Sequence, residues 1–457
     1  MSRPFGNLWS WLIGATPIKR RYDGAGGAPR WNAAQSMPAP NTASLAARMP
    51  VQQRARYLAA NNGHAAAGVE VLVSSLIGQG VRPQAGHPSS EIQADINRRF
   101  GLWCEAIDEN GVINFGAWQA SMARGMVRDG EAFAIMETRD GVSRIRQIDP
   151  DQVDGSLHRD LGNGRRIIAG VESQRGTVLA YHIFPESPDQ PFASSLETVR
   201  VDAADVIHLM RPLFPGQVRG ISWFAPVLLR MVDYDSSVDA LLVRLKVEAM
   251  HAGFITDMNG GTAGYEVGVD GDPQQASMEP GTMRTLGPGQ DVRFSTAPQG
   301  SGAAGAFLTA QLREIAAGLG CTYEQLTGDL TSVNYSSIRA GLVEFRRRME
   351  TVQQHVIIPR MIRPVWRRWL TTEILSGRLN ASGFERDPEL WLAATYITSG
   401  WPWVDPQKEI EAEAAAVENK FKSRREVVAG RGRDIDQLDA ELAAEGSNIE
   451  QEASNEA

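Results

Sequence analysis

The run from Gly216 to Ile255, GQVRGISWFAPVLLRMVDYDSSVDALLVRLKVEAMHAGFI, constrains this chain more than any other stretch. Phe224, Val227, Leu228, Met231, Val238, Leu241, Leu242 and Leu245 keep the 3.6-residue spacing of one helical stripe, while Arg230, Asp233, Asp235, Asp239, Arg244 and Glu248 fall on other faces. From Trp223 to Met250 such a helix would run roughly 40 Å at 1.5 Å per residue. A helix this long with a narrow apolar stripe is expected to pack sideways against copies of itself.

At 457 residues the chain exceeds the usual domain size of roughly 100–200 residues, so several lobes are expected. Hydrophobic residues at 42% and charged residues at 22% suit a folded protein with a real core. Cys104 and Cys321 lie far apart, with no CxxC and no histidine at metal-ligand spacing, so neither a zinc site nor a disulfide framework is indicated. A reducing cytoplasm fits. The apolar stretch Leu8 to Ile13 is far shorter than the roughly 18 residues that span a bilayer. The basic cluster Lys19-Arg20-Arg21 follows it instead of preceding it, against a signal peptide, and no membrane partner is expected.

The formal charge of −8 is localised. Asp434, Asp436, Asp439, Glu441, Glu445, Glu450, Glu452 and Glu456 carry all of it, because residues 434–457 contain no Lys or Arg and the rest of the chain balances. A domain that grips DNA would show a basic excess, since affinity comes from neutralised phosphates.

Residues 1–45 are rich in Gly, Pro, Ala and Asn, with Trp9, Trp11 and Trp31 as isolated anchors, and read as an extended arm. From Val51 to Ile77 the pattern is helical, ended by Gly78 and Gly80, and further helices are expected around Glu91 to Ile107 and Trp118 to Arg128. Ala132 to Met136, Arg144 to Ile148, Val178 to Ile183 and Val206 to Leu209 read as short strands between Gly, Asp and Pro turns, which makes this lobe α+β. Residues 256–304 are an acidic, Gly- and Pro-rich excursion, and a helix is expected from about Ala306 to Leu319. After it comes a Gly- and Thr-punctuated loop ending in Asn334-Tyr335-Ser336-Ser337. Gly320 reads as the stop of the first helix and Ser336 or Ser337 as the cap of the next, about Ile338 to Ile358, which Pro359 and Pro364 should kink or end. Arg346, Arg347 and Arg348 on that helix, taken alone, read as a solvated or salt-bridged face.

Catalytic signatures are sparse. None of the lysines follows a glycine, so a P-loop is excluded, and neither HExxH nor a Gly-x-Ser-x-Gly elbow occurs. His208, between Ile207 and Leu209, reads as a half-buried strand residue. Asp149 and Asp151 flank Pro150 as turn formers do. A metal-dependent nuclease or protease would need Asp149, Asp151 and Glu172 to converge, and a capsid or head-completion protein without a channel is a further alternative.

Several ordered blocks resemble the portal proteins of lambda-like tailed bacteriophages. These are RARYLAANNGHAAAGVEVLVSSLIGQG at Arg54 to Gly80, Asp129-Gly130-Glu131, Ile148-Asp149-Pro150, Gly170-Val171-Glu172 and Leu286 to Val292. IAAGLGCTYEQLTGDLTSVNYSSIRAGLVEFRRR at Ile315 to Arg348 and Trp401-Pro402-Trp403-Val404-Asp405-Pro406 followed by Lys408-Glu409 complete the set. The resemblance implies an α+β, mainly helical portal fold with wing, stem, clip and crown regions that forms rings. It implies an N-terminal arm at 1–50, wing at 51–222, first stem helix at 223–250, clip at 251–304 and second stem helix at 305–320. A channel loop at 321–337, a long kinked helix at 338–380 and a crown with an acidic tail at 381–457 follow. In such a fold Phe224, Leu228, Met231, Val238, Leu241, Leu242 and Leu245 would pack the stem. Thr331, Ser332, Asn334, Tyr335 and Ser336 would line the channel, with Arg339 steering the DNA backbone. The implied partners are copies of the chain in a dodecameric ring, double-stranded DNA without sequence preference, a terminase ATPase, a head–tail adaptor and the major capsid protein. No catalytic residue, metal or cofactor is implied, and the location is the capsid portal vertex, with assembly in the host cytoplasm.

Overall fold

A computed structural model describes residues 39–188, 190–191, 197–249, 253–257, 290–294, 301–331, 334–401, 406–435 and 438–445. The expected arm is shorter than residues 1–50, because helix α1 (Pro40–Asn61) starts at Pro40, whose fixed φ suits a first helical position. The helical stretch read from Val51 to Ile77 is two helices. Asn62 between them is extended, and its side-chain oxygen accepts from Ala65 N at 2.8 Å to cap α2 (Gly63–Ile77). Strand β1 (Arg82–Ala85), α3 (Ser90–Cys104) and α4 (Phe115–Arg128) follow, the last capped by Asn114.

The expected strands fall within β2 (Glu131–Arg139), β3 (Val142–Ile148), β7 (Thr177–Ile183) and β9 (Val206–Met210). Four more join them: β4 (Arg159–Gly162), β5 (Arg165–Ile168), β6 (Val171–Gln174) and β8 (Val199–Asp202). They form two antiparallel sheets, ordered β3-β2-β9 and β4-β5-β6-β7-β8. Four hairpin turns have positive φ at both central residues: Asp140-Gly141, Asn163-Gly164, Ala169-Gly170 and Arg175-Gly176. This is the primed turn that matches the twist of the flanking strands. A small core of Phe133, Ile135, Ile148, Val153, Val171, Tyr181, Ile183 and Val206 lies between the sheets.

Helix α5 (Leu228–Ala249) begins five residues later than expected from Trp223, because Pro226 disfavours helical backbone at the residue before it. Strands β10 (Gly253–Asp257) and β11 (Gln290–Phe294) pair antiparallel and return the chain to α6 (Ser301–Leu319), α7 (Tyr323–Thr327) and α8 (Tyr335–Val352). The prolines beyond do not end the helix. A π-helical segment, Gln353–Ile362, carries it through Pro359 into α9 (Arg363–Leu375), with Pro364 in that helix's first turn. Pro359 in a regular α-helix would lose one hydrogen bond and press on the carbonyl a turn back, and the wider π turn gives that carbonyl room. Helix α10 (Pro388–Leu392), β12 (Ala394–Ile397), α11 (Pro406–Glu418) and α12 (Arg424–Gly430) complete the described elements, with β12 paired to β1.

The main core is aromatic where α3, α4 and α9 meet. Phe100 packs edge-on to Trp366 and Trp369 at centroid distances of 5.1 and 4.9 Å, and both tryptophans are fully buried. Such pairs add about 0.5–1.5 kcal/mol beyond their buried area. Trp366 donates to Leu392 O at 3.1 Å and Trp103 to Ser143 O at 2.7 Å, so the indoles tie the end of α10 and the start of β3 to the core.

A buried ion cluster joins the two sheets to the root of α5. Glu131, fully buried, accepts from Arg219 Nε at 2.9 Å, Gly220 N at 2.8 Å and Arg48 at 3.3 Å, and contacts His208 Nε2 at 3.0 Å. Burial works against its ionisation, yet Arg219 and His208 outweigh this and hold the carboxyl well below the usual range. Arg219 also donates to the carbonyls of Pro150, Val153 and Ala169. The backbones of Gly130 and Gly220 approach so closely that neither position has room for a Cβ. His208 is therefore a half-buried structural residue of β9, stacked on Phe133 at 4.2 Å, and desolvation lowers its pKa.

Candidate DNA-channel segment

Helix α6 ends at Gly320, whose φ of +86° only glycine adopts cheaply. Gly320 N donates to Ala317 O at 3.2 Å and Cys321 N to Ala316 O at 3.1 Å, the paired bonds that close a helix C-terminus. The chain does not then run as an open loop. Thr322 and Gln325 form a reciprocal capping box for α7: Thr322 Oγ1 accepts from Gln325 N at 3.3 Å and Gln325 Oε1 from Thr322 N at 3.0 Å. Gly328, at φ +71°, ends that turn of helix.

Asp329 organises the next residues. It accepts from Tyr323 Oη at 3.1 Å and from Thr331 Oγ1 at 2.6 Å and N at 3.0 Å, and these bonds, led by Thr331, lower its pKa. Asn334 caps α8, its side-chain oxygen accepting from Ser337 N at 2.9 Å. The cap is thus Asn334, and neither Ser336 nor Ser337 holds that position, because the helix starts earlier than the apolar stripe beginning at Ile338. Thr331, Asn334, Ser336 and Arg339 are exposed. Ser332 lies outside the described residues, and only the backbone of Tyr335 is described. Loop hydroxyl and amide groups are largely engaged in holding the turn.

The arginine run spreads over three surroundings. Arg346 lies over the ring of Trp401 at 5.6 Å, Arg347 pairs with Glu344 at 3.7 Å, and Arg348 fills the space beside Gly320.

Stem residues fall into three groups. Phe224, Leu228 and Met231 are buried in the chain's own main core, Val238 and Leu241 are half-buried, and Leu242 and Leu245 are about half exposed at 47% and 49%. A second apolar line on α5, Leu229, Val232 and Val243, is exposed at 74%, 51% and 60%. Sequence reasoning missed that second line because Ser236 and Asp239 interrupt it. Helix α6 packs on α5, with Arg230 paired to Glu314 at 3.2 Å and Gly318 against Val227.

The carboxylates of the nuclease or protease reading have other occupations. Asp149 and Asp151 both bind Arg56, at 3.1 and 3.0 Å, and Asp149 also caps the turn at Pro150. Glu172 instead holds Arg165, Arg200 and His182. Among the described residues no cluster of His, Cys, Asp or Glu has the arrangement of a metal site.

The sequence profile described as "Phage portal protein, lambda family" matches residues 28–353. The chain belongs to the lambda family of phage portal proteins. Among relatives, it is 25% identical over 414 residues to the probable portal protein of Halomonas phage phiHAP-1, covering 85% of this chain and 78% of that one. Portal protein B of Escherichia phage lambda is 24% identical over 337 residues, or 66% and 62% of the two chains. Among solved structures, a chain from the neck of an empty gene transfer agent particle matches with a TM-score of 0.48 at 13% identity, covering 84% and 93%. An HK97-family portal protein from Corynebacterium diphtheriae matches with a TM-score of 0.33 at 12% identity, covering 68% and 87%. As a portal protein the chain is a structural component of a phage virion and not an enzyme.

Proposed function

We propose that this portal protein assembles as a dodecameric ring at one capsid vertex and forms the channel through which double-stranded DNA is packaged and ejected. A terminase motor and a head–tail adaptor dock on the ring, and assembly takes place in the host cytoplasm. Residues 51–222 serve as the wing, 223–250 and 305–320 as the stem, 251–304 as the clip and 381–457 as the crown and acidic tail. The observation that carries this reading is that Thr331 and Asn334, in the turn between two helices, are exposed and polar, with Thr331 bonded to Asp329 and Asn334 to Ser337. Twelve such turns side by side would present Thr331, Ser332, Asn334, Tyr335, Ser336 and Arg339 to the phosphates. Internally satisfied groups form only weak, water-replaceable contacts, so DNA slides instead of sticking.

A closed ring uses two different surfaces of each subunit. Helix α5 offers them: its stripe packs inward on α6, and Leu229, Val232 and Val243 remain for a neighbour. Electron microscopy of the purified protein tests the reading. Rings with a central hole wide enough for duplex DNA are expected, and Val243→Asp should yield folded monomers with unchanged circular dichroism. A compact wild-type monomer, or a closed assembly without an axial hole, would overturn it.

A further inference from the structure

A cleft of about 790 Å³ opens where the Tyr181 face of the β4–β8 sheet meets the π-helical segment, within the range of small-ligand and peptide pockets. Its floor is aliphatic, with Ile168, Val171, Val206 and Val218. Arg166, Arg175 and Arg360 line it, and no Asp or Glu does. Arg166 approaches Asp160 at 3.6 Å on the exposed side. Among the described residues no carboxylate pairs with Arg175 or with the half-buried Arg360.

Two further observations bear on what enters. Arg175 occupies the first central position of the β6–β7 turn at φ +50°, a left-handed conformation that suits Asn, Asp or Gly and strains an arginine. The turn itself gains nothing from a guanidinium there. Asn41, at the edge of the cleft, has a buried side-chain oxygen with no hydrogen-bond donor. A phosphodiester has no proton to give that oxygen, whereas a peptide N–H does.

We propose that this cleft binds an extended acidic segment of a partner protein. Its carboxylates meet Arg175, Arg360 and Arg166, its apolar side chains lie on the aliphatic floor, and one backbone N–H reaches Asn41 Oδ1. Tyr181 and His208 also line the cleft. Tyr181 is only 5% exposed and sits edge-on to His208, which is itself stacked on Phe133, so both rings are packed against their neighbours and neither is laid open for a nucleic-acid base. Residues 1–38 carry Arg3, Lys19, Arg20, Arg21 and Arg30 against Asp23, so that segment is repelled. The assignment does not depend on the ring or the channel.

The test is fluorescence anisotropy on the full-length protein. The labelled probe is the peptide GSNIEQEASNEA, which copies residues 446–457 and combines glutamates with one isoleucine. Saturable binding is expected, weakened about tenfold or more by Arg175→Asn, by Arg360→Gln, or by changing the probe's glutamates to glutamine. Arg175→Asn should raise the thermal midpoint, because asparagine suits the turn, so lost binding is separated from lost folding. Absence of saturable binding, equal binding by Arg175→Asn, or displacement by a double-stranded oligonucleotide at lower concentration than by unlabelled peptide would overturn the proposal. Binding seen only after Glu450, Glu452 and Glu456 of the protein itself are changed to glutamine would overturn the partner assignment and make the chain's own tail the occupant.

Discussion

Replacing Glu131 by glutamine removes one charge and almost no volume. The side chain is fully buried, and its two oxygens serve Arg219, Arg48, His208 and Gly220 N. Glutamine offers one acceptor oxygen, and its NH₂ would face groups that are themselves donors. Arg219 and Arg48, whose side chains are 1% and 5% exposed, would then lack their shared counter-charge. Removing one partner from such a buried pair costs about 3–5 kcal/mol, because the remaining charges stay desolvated. Glu172→Gln is the internal comparison. Glu172 is equally buried, but its partners Arg165 and Arg200 are each 41% exposed and can turn to water, so about 1 kcal/mol is expected. Urea unfolding followed by tryptophan fluorescence measures both. A Glu131→Gln loss no larger than that of Glu172→Gln would refute the reasoning that burial of the cations sets the cost.

Asn334→Ala should cost about 1 kcal/mol by removing the α8 cap, whereas Asn334→Ser keeps a capping oxygen; unfolding curves distinguish them. If packaging falls for the alanine variant and not for serine, the cap matters; if both fall, the amide itself contacts DNA. Gly318→Ala places a methyl against Val227, a stiff β-branched neighbour, and should destabilise the α5–α6 contact by about 1–3 kcal/mol, visible as faster hydrogen exchange in both helices. Acid should destabilise the protein in two stages. His208 has a folded pKa lowered from 6.5, so the unfolded state takes up its proton first and stability declines as pH falls below about 6.5. Glu131, lowered from 4.5, adds a second loss below about 4.5, and Glu131→Gln should abolish it. A flat stability profile from pH 7 to 4 would contradict both.

Elements with strong local signals were legible in the sequence. The 3.6-residue stripe gave α5 to within five residues, whereas the hairpins at Asp140-Gly141 and Asn163-Gly164 are not among the elements read from the sequence, although those pairs carry the usual turn chemistry, and β4 and β8 are not expected. Ala169-Gly170 and Arg175-Gly176 carry no such mark, so β5 and β6 were not foreseen: their turns are imposed by sheet pairing and not by local preference. Pro359 looked like a helix end, and its tolerance depends on π-helical backbone that no sequence period announces. At the candidate site, Gly320 declared the stop, but Asn334 was read as a DNA contact when its first role is a cap. The Glu131 cluster joins residues 83, 77, 88 and 89 positions apart, a separation at which charge pairing leaves no trace in spacing.

Since Pro359 does not interrupt it, one helix runs without a break from Tyr335 to Leu375, roughly 60 Å. Its start is exposed at Asn334, Ser336, Ser337 and Arg339, whereas from Phe345 onward it is seated in the main core through Met349, Val352, Ile357, Trp366 and Trp369. The polar residues at its tip therefore stand on a rod whose anchorage is spread from Phe345 to Trp369, so a cavity made at any one of these core positions loosens the seat without touching the tip itself.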